Sequence, residues 1–234
     1  MSSNFLKTFG TEITQFSDSL IISIKENQNG GINYMITDCS LAIHSLLSRG
    51  FLCKGVIHKG KLIHQDNICF GPAYLEAMLM EETEAKPIIK IKKELVEHAR
   101  KYPGLAQINF ENEEIKYILE HVKELNETEY YINFFEDYDV LVGGGWQVTK
   151  DHYEKACKFI EDELQKCSSY SVYKKYNWVK NKLNESKIVK AHNIEPINFK
   201  VPVIRYVKMF ICSACEQMYS WFKKRYLRRK LSIR

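Results

Sequence analysis

Apolar and polar positions alternate along this chain at two spacings, one suited to strands and one to helices. Glu12 to Ile24 reads as two short β segments either side of the polar corner Ser17-Asp18-Ser19. Asn27-Gln28-Asn29-Gly30-Gly31 is a turn. Ile32, Met35, Ile36, Cys39, Ile43, Leu46 and Leu47 then recur at helical spacing, and Gly50 stands where a C-terminal cap belongs. Phe51 to His58 and Lys61 to His64 predict a β-hairpin, with the mostly apolar first strand central. Gly71-Pro72 opens a helix to about Glu84, whose apolar set is Leu75, Ala77, Met78 and Leu79. Pro87 to Ile91 is the next strand.

The second half is richer in helix. Lys93 to Arg100 predicts one, ending before Tyr102-Pro103-Gly104. Asn112 is a good N-cap for another, with Ile115, Ile118, Leu119, Val122 and Leu125 as its buried stripe. Glu129 to Phe135 is a β segment, and Gly143-Gly144-Gly145 a loop. Thr149 caps a helix carrying Tyr153, Ala156, Cys157, Ile160 and Leu164, and a further helix runs from about Val172 to Asn184. The order β-β-α-β-β-α-β followed by helices predicts an α+β fold, a mainly antiparallel sheet with helices on one face.

Composition narrows the picture. The chain has 234 residues, 45% of them apolar, enough for a packed core and too many for general disorder. Its seven cysteines are scattered and odd in number, and the first ten residues hold no long apolar run, which predicts reduced thiols and a cytoplasmic protein. From Val201 onward nine Lys and Arg face one acid, Glu216, a balance of +8 within a net +5, so the remainder carries −3. The basicity belongs to the tail and gives the main domain no case for binding nucleic acid. Ile204, Val207, Ile211, Ala214, Met218 and Trp221 follow helical spacing ahead of the basic run from Lys223 to Lys230. An amphipathic helix with a basic end suits an anionic membrane surface, or packing on the domain or a dimer partner. Residues 1–190 read as the main domain and 191–234 as this tail.

Candidate metal chemistry at the remaining motifs is thin. Gly143-Gly144-Gly145 lacks the Lys-Ser/Thr of a P-loop. His58 and His64 have no acidic or cysteine partner at zinc spacing and read as exposed, and Cys212-Ser213-Ala214-Cys215 has no second cysteine pair. Asp18 is either the tip of a solvated turn or a metal ligand at a strand end, and Lys54 either an edge lysine or a phosphate contact.

Three consecutive runs carry a resemblance. Phe16-Ser17-Asp18-Ser19-Leu20-Ile21-Ile22-Ser23, Cys53-Lys54-Gly55-Val56-Ile57-His58-Lys59-Gly60 and Phe70-Gly71-Pro72-Ala73-Tyr74-Leu75-Glu76-Ala77 resemble successive elements of a class III nucleotidyl cyclase domain. The variant they resemble most is the pyrimidine nucleotide cyclase of the bacterial Pycsar anti-phage systems. The likeness covers residues 12–91 and, more weakly, 128–186, where Lys175-Tyr176-Asn177-Trp178 resembles a segment of that group. It implies a ferredoxin-like core, a homodimer, UTP or CTP as substrate, and two Mg²⁺ or Mn²⁺ ions on two aspartates from adjacent strands. Asp18 matches the second of those aspartates, and Lys54 stands where a phosphate-contacting arginine is usual. The opening strand with its Asp-Ile-Leu-Gly-Phe-like pattern has no counterpart, Ile88 replaces an arginine, and Leu75 and Leu79 replace an asparagine and an arginine. The alternative is a cyclase-fold protein, lacking that first strand, that binds nucleotide or a partner without turnover.

Overall fold

The computed structural model describes residues 11–66, 68–107 and 110–211. These form a mixed α/β fold that divides into two compact units, Met1–Thr149 and Lys150–Arg234. The boundary read at residue 190 falls inside the second.

The first unit opens with the expected hairpin. β1 (Glu12–Phe16) pairs antiparallel with β2 (Ser19–Ser23), Phe16 opposite Ser19, so only Ser17 and Asp18 make the turn. Ser17 takes a left-handed φ of 53°, which a two-residue hairpin turn demands. α1 (Gly31–Leu47) buries Ile36, Cys39, Ile43 and Leu47 as the spacing predicts, and buries Ser40 and His44 beside them. Past its end, the φ of 81° at Gly50 lets Phe51 N–H donate back to the Leu46 carbonyl at 3.0 Å.

Beyond α1 the pairing departs from the expected hairpin. β3 (Gly55–Ile57) pairs parallel with β6 (Ile89–Lys92), while β4 (Ile63–Gln65) pairs antiparallel with β5 (Ile68–Phe70). Periodicity locates strands without naming their partners, and Asp66, at φ 50°, makes the tighter turn. α2 (Pro72–Glu82) starts at Gly71, where φ is 147° and a Cβ would lie 2.6 Å from the Lys61 carbonyl oxygen. Only glycine fits there. The expected apolar stripe of α2 is not core: Ala73 alone is buried, and Leu75, Met78 and Leu79 are exposed.

β6 continues into α3 (Lys93–His98) and a 3₁₀ turn, Ala99–Lys101. α4 (Glu111–His121) begins one residue before the expected Asn112 cap, with Phe110 at the cap position. It buries Ile115 and Ile118 but exposes Leu119, and Val122 already belongs to β7 (Val122–Glu124). β7 pairs antiparallel with β8 (Glu129–Ile132). Asn126 organises their turn, its Oδ1 accepting from the Thr128 and Glu129 amides at 2.9 Å each. The resulting sheet runs β3-β6-β8-β7 with β3/β6 as its one parallel pair. Among the described residues β2 and β3 each keep one unpaired edge. α5 (Tyr138–Val142) ends at Gly143, and α6 (Gly145–Lys166) begins at once. The glycine run is therefore a helix junction, and Thr149 is no cap: it is buried inside α6 and donates to Asp139 at 3.0 Å.

The second unit is helical. α6 buries the predicted Tyr153, Ala156, Cys157, Ile160 and Leu164; α7 (Tyr170–Glu185) buries Val179 and Leu183. Ser186 caps α8 (Lys187–Ala191) through the Val189 amide at 3.3 Å. α9 (203–211) carries Arg205, whose guanidinium donates to the carbonyls of Gln165 and Cys167 at the end of α6. The rest of the expected amphipathic tail lies outside the described residues. No helix among the described residues is long and apolar enough to cross a membrane.

α1 packs against α3, α4 and α5, and one carboxylate joins these elements. Asp137, 2% exposed, accepts from Ser40 Oγ and, at 2.7 Å, from His44 Nε2 on α1. His121 Nδ1, from the end of α4, lies 4.0 Å from its other oxygen. Removing one partner of such a buried pair leaves polar groups stranded, at about 3–5 kcal/mol. Asp137→Ala is thus expected to lower the stability by about that amount in urea denaturation, and Asp137→Asn, which keeps an acceptor, by less. A loss from Asp137→Ala below about 1 kcal/mol would contradict the role.

A second buried carboxylate gives a pH dependence. Glu114 on α4 accepts from the Gly104 amide through Oε2, while its buried Oε1 has no hydrogen-bond partner. Burial pushes its pKa above the ordinary 4.5, with the Gly104 bond opposing. A raised carboxyl stabilises the fold fully below its unfolded pKa and ceases to do so as pH rises through the folded one. Glu114→Gln is expected to remove that slope and to be neutral or stabilising at pH 7, as read from urea midpoints across pH 4–8.

Candidate functional site

Asp18 stands exposed in the β1–β2 turn. Of the two turn residues Ser17 takes the positive φ, and Asp is common in such turns with no ligand to hold. Divalent ions of the Mg²⁺ or Mn²⁺ type need several converging oxygens. Among the described residues no group of three or more His, Cys, Asp or Glu side chains has the geometry to hold a metal ion. A lone exposed aspartate does not fit a two-metal site.

Lys54 is held elsewhere, just ahead of β3. Its Nζ pairs with Glu81 Oε1 at 2.8 Å and donates to the carbonyls of Glu81 and Glu84 at 3.3 and 3.5 Å. A cation at the last carbonyls of α2 complements the negative end of that helix. The lysine therefore already serves as a cap, and the structure does not bring it together with Asp18 in one constellation.

The two histidines read as exposed are half-buried and engaged. His64 on β4 bonds Ser23 of β2 through Nδ1 at 2.7 Å and Thr14 of β1 through Nε2 at 2.8 Å, which pins the β4–β5 hairpin to the β1–β2 hairpin. Burial holds its pKa below the ordinary imidazole value, with Glu12 opposing. His58, just past β3, bonds Glu76 Oε2 of α2 at 2.7 Å. Hydrophobic spacing carried no sign of these three bonds, because all three partners are distant in the chain.

Of the described cysteines, Cys39, Cys53, Cys69, Cys157 and Cys167 are free thiols. Burial pushes Cys39 and Cys157 up to about 12 and Cys53 to about 11, so these sulfurs stay protonated and unreactive. The buried Ser40–Asp137–His44 group is likewise unsuited to nucleophilic chemistry: both Ser40 and His44 donate to Asp137, and all three are closed to solvent.

A concave feature of the first unit lies at the ends of β3 and β6. It has a volume of about 380 Å³ and is bounded by Ile57, His58 and Lys59 on one side and Lys92, Glu94, Leu95 and His98 on the other. Gly60 keeps its loop against α2, since a Cβ there would meet that of Ala73 at 3.0 Å. The cleft is apolar at Ile57 and Leu95, both buried, and around them it carries two lysines and two histidines with one acid, Glu94. Comparison with family models, curated proteins and solved structures found no match to this chain.

Proposed function

We propose that this chain is a nucleotidyl cyclase-type protein acting on UTP or CTP. In that reaction the ribose 3′-hydroxyl attacks the α-phosphorus, the P–O bond to the β-phosphate breaks, and a 3′,5′-cyclic nucleotide and pyrophosphate result. The cyclic product would be a second messenger in anti-phage defence. The observation that carries the reading is the ordered sequence series, with Asp18 at the tip of an exposed hairpin between adjacent antiparallel strands. The ferredoxin-like core it implies places an opening strand beside that hairpin. The free edges of β2 and β3 are of the kind such a strand pairs with.

A specific observation favours the second reading, a cyclase-fold module that binds without turnover. Asp18 is one carboxylate where two are needed, and Lys54 is occupied by Glu81. Turnover requires a further metal ligand from outside the described residues or from a second copy of the chain.

A homodimer is part of the proposal, and the exposed apolar surface supports it. Ile63, Ile68 and Phe70 on the β4–β5 hairpin and Leu75, Met78 and Leu79 on α2 are each more than half exposed. Surface of this kind on neighbouring segments marks an interaction face. Contact of the basic tail with an anionic membrane surface stays within the proposal as well, resting on the sequence alone.

Incubation of the protein with each nucleoside triphosphate and Mn²⁺ separates the two readings. Cyclic UMP or CMP, lost in Asp18→Ala, is the outcome expected of the enzyme; nucleotide binding with no cyclic product from any triphosphate is that expected of the silent module. In light scattering, the wild type is expected at dimer mass and Leu75→Glu/Leu79→Glu at monomer mass with an unchanged circular dichroism spectrum. A wild type that stays monomeric at high concentration would remove the dimer.

A further inference from the structure

β3 and β6 run parallel, and their carboxyl ends, Ile57 and Lys92, both reach the 380 Å³ cleft. Where parallel strands end, the following loops diverge and leave room for a ligand. The volume sits at the lower end for small-molecule sites, of the order of 300–1,000 Å³.

The cations of this cleft are only lightly committed. Lys59 pairs with Glu26 at 2.8 Å and Lys92 with Glu94 at 3.6 Å. Both carboxylates are more exposed than their lysines, Glu26 at 53% against 44% and Glu94 at 79% against 43%. Pairs this open are screened and exchange readily with a stronger anion. His58 Nε2 is committed to Glu76. His98 differs: its Nε2 is closed to solvent and has no hydrogen-bond partner, with Glu26 Oε1 3.6 Å away, so a ligand reaches it once Glu26 moves aside. A buried ring nitrogen without a hydrogen bond is a cost, and a phosphate favours the form in which that nitrogen carries the proton. Burial, then Lys59, and also Lys101 hold the His98 imidazole below its ordinary pKa, with Glu26 opposing. An incoming anion would counter that shift.

We propose that this cleft binds a small phosphorylated ligand, its phosphate held by Lys59, Lys92 and His98 Nε2. Lys59 and Lys92 release Glu26 and Glu94 to water as the phosphate enters. Ile57 and Leu95 offer an apolar surface for the rest of the molecule, which at this volume is about the size of a nucleoside monophosphate. The proposal goes beyond the cyclase reading, since it uses neither Asp18 nor Lys54 and needs no turnover.

Calorimetry on the full chain with UMP, pyrophosphate and uridine tests it. UMP and pyrophosphate are expected to bind and uridine not. Lys59→Ala and Lys92→Ala are each expected to weaken UMP by about tenfold or more. Lys116→Ala, which removes one charge from exposed α4, is expected to leave it unchanged. In an NMR titration the His98 imidazole is expected to rise in pKa with UMP present. No heat up to about 10 mM UMP, equal binding of uridine, or unchanged affinity in both lysine variants would overturn the assignment. Cyclisation of UTP alongside unchanged affinity in those variants overturns the cleft and leaves the cyclase standing; UMP binding lost in the lysine variants, with no cyclisation of any triphosphate, does the reverse.

Discussion

The first unit depends on a carboxylate withdrawn from water. Asp137 sits between β8 and α5 and takes hydrogen bonds from Ser40 and His44, one turn apart on α1, with His121 of α4 close by. A charge so placed costs several kcal/mol to desolvate and recovers it only when its donors are correctly spaced. That spacing fixes the rotation of α1 about its axis, since only one face presents Ser40 and His44 together. The same rotation sends Ile36, Ile43 and Leu47 into the core. Phe134 and Tyr138 stand edge-on to the His44 ring at 6.4 and 5.0 Å between centroids, closing the group against solvent.

Where burial is one-sided, periodicity was enough to read the elements. α1, α6 and α7 lie where the 3.6-residue recurrence puts them, and the hairpin falls where the alternation puts it, with a turn one residue shorter than the Ser17-Asp18-Ser19 corner. The failures have one cause: pairing and burial are set by partners remote in sequence. β3 chose β6 over β4 because the intervening α2 makes a parallel crossover possible. Thr149 looks like a cap until Gly145, at φ 75°, allows the helix to start a turn earlier. The apolar face of α2 is visible in the sequence, but nothing in one chain says whether that face is covered from within or from without.

The chemistry was less legible than the fold. Asp18 and Lys54 attracted notice through their neighbours in sequence, and the structure accounts for both by local means, a tight turn and a helix C-terminus. The cleft residues His98, Lys59 and Lys92 come from segments some forty residues apart in the chain and are brought together by the β3–β6 pairing. No spacing rule marks such a group, because its members share no element. Their common signal is the parallel pairing itself, which sequence reasoning had replaced with a hairpin.

The uncovered side of α2 and of the β4–β5 hairpin has a consequence for how this protein is measured. If those side chains meet a second copy, folding and assembly become one equilibrium, and the midpoint of unfolding moves with the amount of protein present. Dilution would then act as a mild denaturant. The Gly71 contact with Lys61, which fixes the start of α2 against its neighbouring loop, would govern a surface shared by two molecules as well as the shape of one.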